Sequence, residues 1–556
     1  MKRIGMKLAV GTALVAVSLG AAYVLIGGQE GMGVLLARLN RTKPLPNQKV
    51  AWEQGPANAS PTETGKRRPN VVVILADDLG YNDLTINGGG VAGGVVPTPN
   101  INSIATEGVN CVAAYAGCAT CSPSRAALLT GRYGTRFGFE FTSVPVSFAR
   151  IVGHHRGNPL HAPIYHSERE KDVPAYTSEG LPTSEVTLPN LLSGVGYHTI
   201  HLGKWHLGED QKFSPHSRGF DESLGFLAGG SMYGRPDAPD IVGSQQSFDP
   251  VDSFIWAAAP YGVQFNDGPV FDPAQYLTDY LTDHAVTAIK ANRNRPFFMY
   301  LAYNAPHTPL QATKSDYDAL PQIKDHALRI YAAMIRSLDR NIGRVLQSLK
   351  DEGLDDNTLV IFASDNGGAG YLGFDDINKP LRGWKASFFE GGVRVPLFMR
   401  WPSALPKGGT YKSPVTLLDI YATAAAAAGA KVPTDRVIDG RDLIPYLTGR
   451  ETGRPHENLF WRSGPYWAVR AGDWKLQVAQ TPREEWLFNL AEDPTEQHNL
   501  AGSNPAKLAE LKKVLEDINA EQAKPLWPAL IEAPVWIDKP LGKPVAPQDT
   551  YIYWSN

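Results

Sequence analysis

Oxygen donors and cations gather at four places in the chain. Asp77-Asp78 and Asp365-Asn366 carry carboxylate and amide oxygens; Lys204 and His206 lie in Gly203-Lys-Trp-His-Leu-Gly208, and His307 closes Asn304-Ala-Pro-His307. Asp and Asn start turns routinely, so any one of these alone reads as an ordinary turn. Four in one chain, each bearing a charged or imidazole group, read as a site. Asp77, Asp78, Asp365 and Asn366 offer hard oxygens with neither thiol nor imidazole, a donor set that suits Ca²⁺, or alternatively Mg²⁺, rather than Zn²⁺. A fifth segment is Cys121-Ser-Pro-Ser-Arg-Ala-Ala-Leu-Leu-Thr-Gly-Arg132. Pro123 is placed like a first-turn helix proline, which puts Cys121 at a helix N-terminus where free N–H groups favour an anion, with Arg125 one turn on. Cys118-Ala-Thr-Cys121 also reads as a redox pair or half a zinc site, but no second Cys-x-x-Cys follows.

These groups follow apolar runs long enough to be strands buried on both faces: 70–76, 199–202, 297–302 and 359–363, with 395–399 a further run. Helical patterns lie between them. The clearest has Leu328, Tyr331, Ile335, Leu338, Ile342, Val345 and Leu349 at three- and four-residue spacing, stopped by Gly353. The alternation predicts an α/β fold over 69–439: a large, mostly parallel mixed sheet sandwiched by helices, with ligands beyond the carboxyl ends of its strands. Short strands (466–470, 474–478) and a helix near 505–521 predict a smaller C-terminal α+β domain over 440–524. Residues 525–556 are expected to run as an extended tail.

The 556 residues carry 53 Lys+Arg against 56 Asp+Glu, which leaves no basic excess for nucleic acid. Twelve Trp and 22 Tyr are too many for a disordered chain, and three cysteines (Cys111, Cys118, Cys121) exclude a disulfide scaffold. Residues 1–28 read as a signal peptide or signal-anchor: Lys2, Arg3 and Lys7 precede the uncharged run Leu8–Ile26, close to the ~20 residues that span a bilayer. Export, with a membrane tether if the segment is retained, is expected. Residues 29–68 read as a polar linker. The only glycosylation sequons, at Asn40 and Asn58, fall in it, which favours a bacterial periplasm.

Cys-x-Pro-Ser-Arg with Thr-Gly-Arg after it, followed in order by Gly203–Gly208, Ser364-Asp-Asn-Gly367 and Leu381-Arg-Gly-Trp-Lys-Ala-Ser-Phe-Phe-Glu-Gly-Gly392, resembles the type I, formylglycine-dependent sulfatase family, arylsulfatase-like enzymes of the alkaline-phosphatase-like superfamily. The likeness runs from about Pro69 to Leu500 and includes Ala468-Val-Arg-Ala-Gly-Asp-Trp-Lys475 and Leu487-Phe-Asn-Leu-Ala-Glu-Asp-Pro494. It implies that a maturation enzyme oxidises Cys121 to formylglycine, whose hydrated form attacks the sulfur of a sulfate monoester. It implies one divalent cation, usually Ca²⁺, on Asp77, Asp78, residue 121, Asp365 and Asn366, with Asp365 as base for the attacking hydroxyl. Arg125 and Lys204 would hold the diol and sulfate, and Lys385 and His307 the sulfate and ester oxygen, with His307 as leaving-group acid. His206 would take the second diol proton, expelling sulfate and regenerating the aldehyde. The substrate would be a sulfated small molecule or carbohydrate; a homo-oligomer is compatible.

Alternatives of another class are a formylglycine-dependent phosphonate monoester hydrolase or phosphodiesterase, and a non-catalytic exported binding protein. Two-metal phosphoesterases of the superfamily would place His beside the late Asp, where Asn366 stands. The family's Thr-Pro-Asn-(Ile/Leu)-Asp is Thr98-Pro-Asn-Ile-Asn102 here, and that Asp is expected to be structural. Phe137–Glu185 is a long insertion with His154, His155, His161 and His166, expected as a solvated substrate-side loop rather than a second metal site. It and Gly229–Phe271 are expected to line the pocket, with Tyr165, Tyr176, Tyr233, Trp256 and Tyr261 as stacking or packing groups. Cys111 and Cys118 are expected as free thiols.

Overall fold

The computed structural model of the protein describes residues 28–58, 67–155, 157 and 160–556. The apolar run Leu8–Ile26 lies outside them, and among the described residues no helix is long and apolar enough to cross a membrane. A nine-stranded sheet forms the centre: β1 (Asn70–Asp77), β2 (Val109–Cys111), β3 (His198–Lys204), β4 (Glu222–Phe226), β5 (Gln264–Phe265), β6 (Phe297–Pro306), β7 (Thr358–Ser364), β8 (Leu397–Arg400) and β9 (Gly409–Tyr411), ordered β9-β2-β8-β7-β1-β6-β3-β4-β5. The five strands β7-β1-β6-β3-β4 are mutually parallel. β8 and β5 join antiparallel at either side, so the expected mostly parallel mixed sheet is the one observed.

All eight residues of β1 are buried, and their alternation divides two cores. Val72, Ile74 and Ala76 pack with α5 (Leu277–Ala291) and α6 (His326–Asp351). Val71, Val73 and Leu75 pack with α2 (Cys121–Thr130) and α7 (Asp419–Ala428). At about 1.5–3 kcal/mol for each large aliphatic side chain, burial on both faces explains why these runs are continuous rather than alternating. α6 buries the whole predicted stripe from Tyr331 to Leu349, and Gly353 follows in the left-handed region.

A four-stranded antiparallel sheet follows: β10 (Asn458–Ser463), β11 (Tyr466–Ala471), β12 (Trp474–Gln480) and β13 (Arg483–Asn489), with α8 (Pro505–Ala520) against it. Two sequence expectations need correction. The 525–556 segment is no simple extended tail: β14 (Ile531–Trp536) and β15 (Tyr551–Ser555) form an antiparallel hairpin that Ile164–Tyr165 extends to three strands. Its burial of Ile531, Trp536, Ile552 and Trp554 drives this. Nor does 29–68 behave as a linker over its described part. Gly28–Leu39 is helix α1, whose Gly33 sits so close to Ile151 that a Cβ there would stand 2.6 Å from it. Trp52 is buried, with its indole N–H on His284.

Candidate active site

The parallel strands deliver their polar ends to one spot. Asp77 ends β1 and Asp78 follows; Lys204 ends β3; His307 follows β6; Asp365 and Asn366 follow β7. α2 enters the same spot with Cys121 as its first residue, and Thr120 precedes it in extended conformation. Asp78 and His206 both take positive φ (62° and 59°), a backbone cost of about 1–3 kcal/mol each that the surrounding packing sustains.

The Cys121 Sγ lies 3.4 Å from Asp77 Oδ1 and 3.7 Å from Asp78 Oδ1, and the Lys385 ammonium donates to it at 3.2 Å. Arg125, wholly buried, donates Nε to Asp365 Oδ2 at 2.9 Å and Nη1 to the Lys204 carbonyl at 3.0 Å, and Nη2 pairs with Asp77 at 3.5 Å. Lys204 Nζ donates to Asp77 Oδ2 at 2.7 Å. Lys385 pairs with Asp78 at 2.7 Å. Asn366 Nδ2 donates to Asp78 Oδ1 at 2.8 Å, while its Oδ1 is buried without a hydrogen-bond partner. The eight sequence-nominated residues other than His206 and His307 are thus joined in one web. His307 adjoins it, with Nε2 3.7 Å from Asp78 Oδ2 and Nδ1 donating to the Thr308 carbonyl. His206 lines the same cavity as Cys121, His307 and Lys385.

Burial pushes the Cys121 thiol well up, against the pull of Lys204 and Lys385, so an unmodified Cys121 is a thiol and a poor nucleophile. Burial works to raise Asp78, but Lys385, His307 and Lys204 hold it below the usual carboxylate range. Asp365 moves the other way, up to about 6, through burial and the charge of Asp77. Burial opposes the charge on Lys385, yet Asp78 outweighs it and keeps the ammonium protonated. His206 is pushed well below its ordinary value by burial and by Lys204, and is neutral.

Among the described residues, the one group of His, Cys and acid side chains close enough to share an ion is Asp77, Asp78, Cys121 and His307. Asp365 stands beside it with Oδ1 on the Asp78 amide and Oδ2 on Arg125. Buried acids beside an Asn366 whose amide oxygen has no hydrogen-bond partner fit a hard divalent cation. Among the described residues the insertion's histidines have separate partners: His154 bonds the Arg150 carbonyl, His155 pairs with Glu30, His161 stacks on Tyr551, and His166 lies between Glu168 and Glu532.

Above the web opens a cavity of about 770 Å³. Its walls come from the insertion (Thr142–Pro145, α3 over Val146–His154, Tyr176), from α4 (Pro250–Ala258), from α1 and from the β14–β15 hairpin. Of the five aromatic candidates only Tyr176 lines it. Tyr233 is fully buried with its hydroxyl against the Asn304 and His307 carbonyls, Tyr261 bonds the Gln275 carbonyl, Trp256 packs on Gly243, and Tyr165 contacts Glu170. Sequence reasoning missed Tyr371, whose hydroxyl donates to Asp78 at 2.7 Å, and Trp384, Trp536 and Trp554 in the walls. Trp384 adjoins the nominated Lys385; nothing in the local pattern marks the others.

A family model described as Sulfatase matches residues 69–430, and one described as N-sulphoglucosamine sulphohydrolase, C-terminal, matches 383–523. The uncharacterized sulfatase YdeN of Escherichia coli (strain K12) is 27% identical over 555 residues, covering 84% of this chain and 88% of that protein. N-acetylgalactosamine-6-sulfatase of Mus musculus is 33% identical over 425 residues, 74% of this chain and 72% of that protein. Among solved structures, Ps i-CgsB is 35% identical with a TM-score of 0.69, covering 83% of this chain and 95% of that one; it has also been solved in complex with k-i-k-neocarrahexaose. With the strand-end web in place and a family model spanning most of the chain, this protein belongs to the sulfatase family and is a sulfuric ester hydrolase.

Proposed function

We propose that the chain hydrolyses a sulfate monoester to an alcohol and inorganic sulfate, using formylglycine at position 121 and one divalent cation, Ca²⁺ or alternatively Mg²⁺. The observation that carries this is the position of Cys121. It is the first residue of a buried helix, between Asp77, Asp78 and Lys385, where a thiol is protonated and the Cys-x-Pro-x-Arg signal follows. A cation held by Asp77, Asp78, Asp365 and Asn366 would polarise the sulfate and acidify a neighbouring hydroxyl, and formylglycine would supply that hydroxyl where cysteine has none. The chain's own residues do the rest. Lys204 and Lys385 neutralise charge at the sulfuryl oxygens in a water-poor site. Arg125 fixes Asp365, whose carboxyl burial and the charge of Asp77 raise to about 6, which suits it as the base. His307 presents Nε2 to the ester oxygen, and His206 takes a proton when sulfate departs.

The likeness to a protein solved in complex with k-i-k-neocarrahexaose supports a sulfated carbohydrate as substrate. A second reading, an aryl or other apolar alcohol, is favoured by the cavity wall of Leu36, Phe148, Val251, Phe254 and Ile255. Export to a bacterial periplasm, by a signal peptide or a retained anchor, and maturation by a formylglycine-generating enzyme complete the proposal. The test is mass spectrometry of the peptide containing residue 121, paired with turnover of sulfated sugars, aryl sulfates and phosphonate monoesters. Formylglycine in active enzyme and sulfate release are expected, and Cys121→Ala should lose all turnover. Active enzyme with only the thiol at 121 would refute the mechanism, and preference for phosphonates would refute the substrate class.

A further inference from the structure

We infer that Glu179 is a positioning residue for His206, acting through the backbone of Ser143. It rests on the role proposed above for His206, and its geometry lies in the insertion, outside the motifs that nominate the site. Glu179 is buried, and its Oε2 accepts the Ser143 hydroxyl at 2.9 Å. Ser143 is therefore tied to the Glu179 carboxyl through its hydroxyl. The Ser143 carbonyl in turn lies 3.3 Å from His206 Nε2. A carbonyl only accepts, so the proton of the neutral imidazole belongs on Nε2 and the lone pair on Nδ1. Nδ1 is the buried ring nitrogen without a hydrogen-bond partner.

The backbone and the ring of His206 are each held by a further contact. Ser122 Oγ donates to the His206 carbonyl at 2.6 Å, and Gly229 lies so near that a Cβ there would stand 2.7 Å from Nε2. Ser143 and His206 both line the cavity above Cys121. With the tautomer set, Nδ1 is the ring nitrogen that would accept a hydroxyl proton at residue 121. In that step the O–H electron pair would form the C=O bond, and sulfate would leave with the electrons of the C–O bond that breaks. Glu179 touches no reacting atom; it decides which ring nitrogen is the base.

The first readout needs no turnover: ¹⁵N resonances of His206 in histidine-labelled full-length protein, assigned with His206→Gln. Wild type should show the Nε2–H tautomer, and Glu179→Ala a mixture of tautomers. Ser143→Ala, which keeps the carbonyl and loses only the tie to Glu179, is the milder variant should Glu179→Ala not fold. The second readout is pre-steady-state. With 4-nitrophenyl sulfate, Glu179→Ala and Ser143→Ala should release nitrophenol in a burst and then turn over slowly, with the steady rate down on the order of 10²-fold, the cost of a misplaced catalytic group. Glu179→Gln, which keeps a carbonyl acceptor, should recover part of it. An Nδ1–H ring in the wild type overturns the inference, as does an unchanged tautomer and rate in both variants. Should wild type turn over no sulfate ester while the tautomer still shifts in the variants, the positioning role stands and the proposed function fails.

Discussion

His307 and Lys385 both face Asp78, but they differ in what each can donate. Lys385 keeps its proton in the company of Asp78. His307 has committed Nδ1–H to the Thr308 carbonyl, and burial, against the pull of Asp78, lowers its pKa to about 3, so Nε2 carries no proton until substrate charge arrives. If His307 is the acid, His307→Ala should slow esters of sugar or alkyl alcohols by roughly 10²–10⁴-fold and 4-nitrophenyl sulfate far less, because a nitrophenolate leaves without protonation. Equal loss for both classes assigns the proton to Lys385. At this scale the sequence was legible where chemistry follows a strand directly: Asp77, Lys204, His307 and Asp365 sit at strand ends that their apolar runs announce. Tyr371, Ser143 and Glu179 lie in loops without periodicity, and only tertiary folding brings them to Asp78 and His206.

Among elements, the cavity wall is the part that family motifs leave free to vary. α1, α3 and α4 pack on one another through Gly33 against Ile151 and through an edge-to-face pair of Phe148 and Phe254, 5.2 Å apart at 83°. Their apolar side faces the space where the alcohol half of the ester would lie. Phe254→Ala should raise KM for an apolar ester by about 10-fold, the effect of roughly 1.5 kcal/mol of lost aromatic contact, and leave kcat for a small aryl sulfate unchanged. A KM rise confined to sulfated sugars would mean that the ring stacks on a pyranose instead. The strongly periodic α6 was readable to within a few residues. α1 was not, because a short stripe of small residues, Gly33 and Ala37, carries its packing and no large apolar period announces it. The β14–β15 hairpin escaped for a related reason: Pro534 and a long intervening loop break the alternation that identifies strands.

For the whole molecule, the second sheet is coupled to the catalytic sheet by buried charge. Lys475 of β12, fully buried, pairs with Glu390 at 2.8 Å and Glu496 at 3.0 Å. Glu390 also accepts the Tyr115 hydroxyl and begins the turn that follows the Lys385 loop. Gly391 packs against the Gly383 carbonyl so closely that a Cβ would stand 2.2 Å away, so the loop carrying Lys385 has little slack. Removing Lys475 leaves Glu496 without its cation partner and Glu390 with Arg394, 3.6 Å away, as its remaining ion pair. Because an uncompensated buried charge costs about 3–5 kcal/mol, Lys475→Ala should lower stability by that amount in denaturant unfolding. Activity should fall with it even below the unfolding transition, as Glu390 shifts and the Lys385 loop loosens. A triple variant, Lys475→Met with Glu390→Gln and Glu496→Gln, removes the lysine and both carboxylates at nearly constant volume and leaves Arg394, which is partly open to solvent. It should recover most of the lost stability, since replacing a whole buried ion cluster is often close to neutral. If Lys475→Ala unfolds at the same denaturant concentration as wild type, the network does not hold the two sheets together, and contacts such as those of Phe388 and Phe389 with Tyr466 and Trp486 carry that junction.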